Sequence, residues 1–255
     1  MLWYKSWLET RWRFVIGLGL LILSAAGTVL YYPTAMDLLP LASSIEVSSA
    51  LGRRIAEAVE LSRTYRGYVW SQWFVTNVPE AWALFAVMLG TGGLMAQGPR
   101  GGALFTLSLP VSRGQLIAVR AATGLAELLV IALASSLVLT LLSPAVGQSY
   151  SVVDALVHAL CLFVGGTVLF SLATLLSTIF TDVWRPALIV LCGATVLAFT
   201  EAALRDLSPY GLFGTMSGEL YFRRGELPWL GLLGSVLLSA TCLWASVKNI
   251  AHQDF

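Results

Sequence analysis

Residues 115–142 read QLIAVRAATGLAELLVIALASSLVLTLL, and this stretch decides the fold class. Roughly 20 apolar residues are enough to cross a bilayer as a helix. In this run only Arg120 and Glu127 carry a charge. A run of this length and character predicts a transmembrane helix.

The rest of the chain has the same character. It is 57% hydrophobic and 11% charged, with a mean hydropathy of +0.80, whereas soluble domains carry about 25% charged residues. Because these charged residues are too few to form the surface of a soluble protein, we expect the chain to be surrounded by membrane lipids. The net charge of +1 and the lack of a basic run give no reason to expect a nucleic-acid partner. The three cysteines lie in apolar runs, which favours packing over a disulfide or metal site.

Apolar runs of sufficient length predict an all-α polytopic membrane protein with a single transmembrane domain over residues 1–255. The six predicted spans are about 14–32, 79–97, 115–142, 152–180, 186–204 and 228–247. Lysine and arginine mark the side of the membrane on which a loop lies. With a cytoplasmic N-terminus the inner side carries eight such residues: Lys5, Arg11, Arg13, Arg100, Arg113, Arg120, Arg185 and Lys248. Four of the seven outer ones lie in the long loop 33–78, mostly far from span ends. This distribution predicts cytoplasmic N- and C-termini.

Three segments outside the spans have an amphipathic or broken pattern. Residues 2–13 have aromatic and apolar side chains every four positions, which predicts an N-terminal interfacial helix; the alternative is the charged start of the first span. In the loop 33–78, Tyr65, Val69 and Trp73 recur every four positions, as on one face of a helix. This spacing favours amphipathic helices on the outer surface; the alternative is a solvated lid. Residues 205–227 contain Pro209 and several glycines, which predict short re-entrant outer helices before the last span.

Glu127 is the single residue that most strongly suggests a functional role, because it lies about twelve residues into the third predicted span. A carboxylate at the centre of a bilayer costs about 2.5–3.5 kcal/mol on insertion scales. One interpretation is a neutral or paired glutamate packed between helices. The other is a residue lining a cavity on a permeation path. No phosphate-binding loop, zinc motif or hydrolase motif accompanies it.

The segment 97–114 is a half-polar, half-apolar elbow between the second and third spans. Glycines and Pro99 break the helix, and residues 103–109 can then form about two turns, which Pro110 ends. Two apolar strips lie along those turns: Leu104 and Leu107 fall on one strip, and Phe105 and Leu109 on the other. Such a short helix can face a membrane and a protein at once.

The stretch GGALFTLSLPVSRGQLIAVRAATG, residues 101–124, resembles the segment after the second span of ABC-2-type transporter permeases. The resemblance extends to the six-span layout, the interfacial N-terminal helix, the LSPYGLF stretch before the last span and the QDF tail. Family members often carry acidic residues before and within this helix, where the present chain has Gln97, Gly102 and Phe105.

The resemblance implies that the elbow is a coupling helix held in a groove of a separate ATP-binding cassette ATPase. The residues that it assigns to this contact are Leu104, Phe105, Leu107, Leu109 and Arg113. It implies that ATP and Mg are bound by the partner ATPase, that this chain binds no cofactor and is no enzyme by itself, and that the complex lies in the bacterial cytoplasmic (inner) membrane. The chain would then be the permease subunit of an exporter, with two permeases and two ATPases in the assembly.

Small residues in the first and fifth spans are candidates for the contact with a second permease, either an identical chain or a related one. The positions are Gly17, Gly19 and Gly193, where backbones can approach closely. Two alternatives stay open. The chain could be a membrane anchor or assembly factor that moves no substrate, or a polytopic membrane enzyme or secondary transporter.

Overall fold

The structure, a computed structural model, describes residues 2–43, 59–91, 113–180, 182–204 and 208–251. This part of the chain consists of helices and their connections, without a strand. Six of its helices are long and apolar enough to span a membrane. The all-α fold class and the number of candidate spans therefore agree with the prediction.

The helices are α1 (Leu2–Leu30), α2 (Tyr32–Ser43), α3 (Tyr65–Gly90), α4 (Arg113–Leu142), α5 (Val152–Ser177), α6 (Trp184–Ala203), α7 (Leu212–Ser217), α8 (Glu219–Arg224) and α9 (Trp229–Ala251). Short 3-10 turns lie at Ser143–Val146 and Ser208–Tyr210. The bounds of α4, α5, α6 and α9 differ by only a few residues from the predicted spans. The first two spans differ more.

The N-terminal residues 2–13 do not form a helix separate from the first span, because α1 runs without a break to Leu30. No proline or glycine precedes Gly17, so nothing in the sequence ends the helix earlier. Ser6 and Thr10 of this segment are buried in the protein, while Tyr4 and Trp12 are exposed. One face of the segment therefore packs on the bundle, and Tyr4 and Trp12 lie on the other.

The second long helix begins at Tyr65, well before the predicted start at residue 79. Trp73 and Phe74 are fully buried in the bundle rather than resting on an outer surface. Within this helix, residues Trp70–Asn77 form a π-helical stretch. The polar side chains of this stretch lie outside the core: Ser71 is half-buried and donates to the Tyr68 carbonyl, and Asn77 is exposed and donates to Thr28. Only one face of this half-polar sequence is therefore buried in the bundle, which hydropathy averaged over all positions does not indicate.

The bundle is built around α5, which packs against α3, α4, α7 and α9. Close approach to α3 requires Gly166, because a Cβ there would lie 1.7 Å from the indole nitrogen of Trp82. In contrast, α6 and α9 expose large apolar side chains, such as Phe199 and Leu230. Exposed apolar surface of this extent indicates contact with a membrane or with another protein.

The two short helices α7 and α8 meet at Gly218, whose positive φ of 63° ends the first and begins the second. The Glu201 carboxylate on α6 accepts hydrogen bonds from the backbone N–H groups of Leu212, Phe213 and Gly214 at the start of α7. Short helices before the last span were predicted from the sequence; their re-entrant position in a membrane stays a prediction.

Candidate functional site around Arg120 and Glu127

The predicted ATPase contacts fall outside the part of the chain that the structure describes. Leu104, Phe105, Leu107 and Leu109 belong to the segment 92–112, which lies outside the described residues. Arg113 is the first residue of α4, and its side chain is likewise outside the described part. The structure does describe both ends of this segment: Thr91, which follows α3, and the first turns of α4.

Two guanidinium groups hold the end of α3. Arg13 of α1 donates through Nη1 to the carbonyl oxygens of Met88 and Thr91, at 2.6 and 2.9 Å. Arg120 of α4 donates through Nη2 to the same Thr91 carbonyl at 3.3 Å. The last carbonyls of a helix have no partner within the helix and carry its negative dipole end, so cations stabilise them.

Arg120 also forms an ion pair with Glu9 of α1, with 3.1 Å between Nη1 and Oε2. The side chains of Arg120 and Glu9 have exposed fractions of 18% and 27%, and Lys5 lies 4.0 Å from the other Glu9 oxygen. We refer to Glu9, Arg13, Arg120 and the carbonyls of Met88 and Thr91 as the arginine junction. It joins α1, α3 and α4 at the point where the chain leaves α3 for the elbow.

Glu127 lies two turns further along α4 and is only 4% exposed. Its Oε1 is hydrogen bonded to the hydroxyl of Thr10 on α1. Its Oε2 is buried and has no hydrogen-bond partner among the described residues. Glu127 is therefore a buried glutamate between α1 and α4, which is the first of the two interpretations of the sequence; its predicted place on a permeation path stays a prediction.

Sequence reasoning identified Glu127 and Arg120 but missed Glu9, Thr10 and Arg13 as parts of the same site. Glu9 and Arg13 are four residues apart, a spacing that also fits the polar face of the separate interfacial helix predicted for residues 2–13. An unbroken α1 was the missing information. Because α1 packs along α4, it brings these residues against the third span.

The three predicted dimer glycines differ in their surroundings. Gly17 faces its own chain, since a Cβ there would lie 2.8 Å from the ring of Phe85. Gly19 and Gly193 have nothing within 4 Å of the equivalent position. The last two remain open to a partner, whereas Gly17 already packs α1 on α3.

A second polar cluster lies at the opposite end of the bundle, around Asp154 at the start of α5. Its carboxylate pairs with Arg66 at 2.9 Å and accepts a hydrogen bond from the Tyr221 hydroxyl at 2.9 Å. Burial, together with the hydrogen bond to Asp154, raises the pKa of Tyr221. Burial also raises the pKa of Tyr150, which lies just before α5. The cluster thus ties α3 and α8 to α5.

Aromatic stacking extends this cluster. The rings of Trp70 and Phe222 stack with centroids 4.2 Å apart and an interplanar angle of 2°. Arg223 lies over the Trp70 ring and Arg66 over the Phe222 ring. Cations over aromatic faces are stabilising, so α8 is held on α3 by stacking and charge together.

Within the described ranges no cluster of three or more His, Cys, Asp and Glu side chains could hold a metal ion. Comparisons of the chain with models of protein families, with curated proteins and with solved structures each find no match.

Proposed function

We propose that this chain is the permease subunit of an ATP-driven exporter of the ABC-2 type, in which a separate ATPase subunit binds and hydrolyses ATP with Mg. The resemblance of residues 101–124 to such permeases supports this function, and so does the presence of six candidate spans. The observation that carries the proposal is the arginine junction, because the segment that contains the elbow leaves the bundle there.

The junction gives the elbow a physical connection to two spans. A displacement of the elbow acts on Thr91, whose carbonyl is held by Arg13 of α1 and Arg120 of α4. Nucleotide binds one state of the ATPase better than the other, and in this proposal the elbow passes that preference on to the positions of the helices. Thr10 and Glu127 extend the same α1–α4 contact further along the spans.

In this proposal two permeases meet in the bacterial cytoplasmic membrane, with their N- and C-termini in the cytoplasm. Gly19 and Gly193 are the positions offered to the second permease, because both are open and small residues permit close helix contact. An identical partner would give a two-fold dimer with the same patch on both sides.

The test of the function is purification of the tagged chain from membranes of its source organism, followed by identification of P-loop ATPases that accompany it. We expect an ATPase subunit in the complex and ATP hydrolysis by the complex, and none by the chain alone. Phe105→Asp or Leu107→Asp should remove the ATPase from the complex without loss of the chain, since a few apolar anchors carry most of a small interface.

Thr106→Asp is the matched control, because Thr106 lies outside both apolar strips of the elbow, on the side away from Leu104. It should leave the ATPase bound. Undiminished co-purification of the ATPase with Phe105→Asp and Leu107→Asp would contradict the coupling role of the elbow.

A secondary transporter is the alternative favoured by one observation, the buried carboxyl of Glu127. Uptake into vesicles separates the two functions. Transport by an exporter of the proposed type needs ATP and its ATPase, whereas transport by a secondary transporter follows an imposed ion gradient without either.

A further inference from the structure

The hydroxyl of Thr10 has more acceptors around it than it has hydrogens. Its Oγ1 lies 3.2 Å from the carbonyl oxygen of Ser6 and 3.4 Å from that of Trp7, and it is also hydrogen bonded to Glu127 Oε1. A threonine hydroxyl carries one hydrogen and two acceptor lone pairs. If it donates to its own helix, as helical threonines commonly do, the hydrogen between Thr10 and Glu127 must come from Glu127.

The other oxygen of the same carboxyl leads to the same conclusion. Oε2 of Glu127 is buried without a hydrogen-bond partner among the described residues. A charged carboxylate buried with an unsatisfied oxygen is costly, because its charge is spread over both oxygens. In a neutral carboxyl the orphan atom is only a carbonyl oxygen, whose burial costs much less.

The charged groups around Glu127 are satisfied by other partners. Arg120, two turns before Glu127 on the same face of α4, is bonded to Glu9 and to the Thr91 carbonyl. Arg13 of α1 donates to carbonyl oxygens of α3, and Lys5 is near Glu9. No guanidinium or ammonium is in hydrogen-bond contact with Glu127 in the described part of the chain.

Among the remaining neighbours of α4, α3 carries Glu80, whose side chain is exposed, and the charged groups of α5 and α9 lie away from the level of Glu127. Lys248 lies near the end of α9, close to the level of Gly114, whose added Cβ would contact Val247. At 1.5 Å per residue, Gly114 lies about 20 Å along α4 from Glu127. On α5, Asp154 and His158 lie at the opposite end of the bundle, and only the thiols of Cys161 and Cys242 lie along the intervening turns of α5 and α9.

We propose that Glu127 is a proton-binding site inside the bundle, where its carboxyl is protonated at neutral pH and donates to the Thr10 hydroxyl, which in turn donates to the Ser6 carbonyl. Loss of the proton to solvent reverses the order of donors. Thr10 then turns its single hydrogen from Ser6 to the Glu127 carboxylate, and the negative charge attracts Arg120 away from Glu9. Protonation of Glu127 is thereby linked to the arginine junction.

Glu201 provides a matched control in the same chain. It too is a glutamate in a candidate span, but it accepts hydrogen bonds from three backbone N–H groups, at 2.7, 3.0 and 3.3 Å. Hydrogen bonds from N–H donors favour the ionised form of a carboxyl. The two glutamates should therefore differ in protonation at neutral pH.

Infrared spectroscopy of the purified full-length chain in lipid nanodiscs tests the proposal, because the carbonyl stretch of a protonated carboxylic acid is separate from carboxylate bands. At neutral pH we expect an acid band equivalent to one carboxyl per chain, which moves to lower frequency in D₂O. Glu127→Gln should remove this band, and Glu201→Gln should leave it unchanged. Thr10→Val should move the band without removing it, since the acid loses its hydrogen-bond acceptor.

An acid band that is absent from the native chain at neutral pH would overturn the proposal. So would a band of unaltered area in Glu127→Gln, or one that disappears in Glu201→Gln. If Glu127→Gln does not fold, the native chain and Thr10→Val still decide the matter, since a band at an identical frequency in both also excludes the Glu127–Thr10 bond as its source. The measurement reads protonation and not transport, so its result is independent of the proposed exporter function.

Discussion

Arg13 donates to the carbonyl oxygens of both Met88 and Thr91, so the side chain of one span closes the end of another. The contact lies where the chain leaves α3 for the elbow. Helix ends of this kind are otherwise satisfied by a local cap or by water. Here the end of α3 depends on α1, which makes the stability of the elbow's attachment sensitive to a residue far away in sequence.

Arg13→Gln should destabilise the purified chain by about 1–3 kcal/mol, because two carbonyl oxygens lose a charged donor. Arg11→Gln is the control on the same helix; Arg11 is exposed and lies over the Trp12 ring, and its loss should change stability by less than about 0.5 kcal/mol. Thermal unfolding in one detergent measures both. Equal midpoints for the two variants would show that the Arg13 contacts contribute nothing.

Glu127→Leu should alter transport, or the stimulation of the partner ATPase, more than it alters expression. Leucine removes the hydrogen bond to Thr10, while Glu127→Gln keeps a group of the same shape that can still donate to it. We therefore expect a larger functional defect in Glu127→Leu than in Glu127→Gln. Native activity in Glu127→Leu would reduce Glu127 to a packing residue.

Gly17→Val and Gly193→Val should have opposite consequences. A side chain at Gly17 collides with the Phe85 ring, which should cost about 1–3 kcal/mol of monomer stability. A side chain at Gly193 meets open space within the chain, so stability should be retained while association with a second permease weakens. Thermal unfolding and cysteine crosslinking at positions 190–198 measure these effects. Undiminished crosslinking in Gly193→Val would place the permease contact elsewhere.

Tyr221 should make the stability of the chain depend on alkaline pH. Its pKa is raised in the folded protein, so its stabilising effect is complete below the ordinary tyrosine value of about 10 and is lost as pH rises through the folded value. Tyr221→Phe should lower stability near neutral pH by about 1 kcal/mol and flatten the alkaline decline. Tyr210→Phe, at an exposed position, should leave the native profile in place. A decline of the same steepness in Tyr221→Phe would rule out Tyr221 as its cause.

The sequence was sufficient for the fold class and for four of the spans, because α4, α5, α6 and α9 consist of apolar runs of bilayer length. It was not sufficient for α3. Hydropathy averages over all positions of a segment, whereas in α3 Trp73 and Phe74 are fully buried and Asn77 is exposed. Which face of a half-polar helix is buried depends on tertiary contacts, which a window of sequence does not contain.

The candidate site was predictable only in part for a similar reason. Glu127 stands out in the sequence because it is a carboxyl in an apolar run, and the structure shows that it is buried. Its partner Thr10 lies 117 positions away in the chain and has no distinguishing pattern of its own. The contact exists because α1 continues without a break past the polar N-terminal turns and packs along α4.

Site-specific photocrosslinking tests the coupling of this chain to a separate ATPase through the elbow. A photoreactive amino acid is placed at Phe105 or Leu107 in the elbow, or at Gln148 in the connection between α4 and α5, and irradiated in native membranes. We expect covalent adducts with an ATP-binding cassette subunit from positions 105 and 107 and none from position 148. Adducts that form equally from position 148, or that are missing from both elbow positions while the ATPase is present, would contradict it.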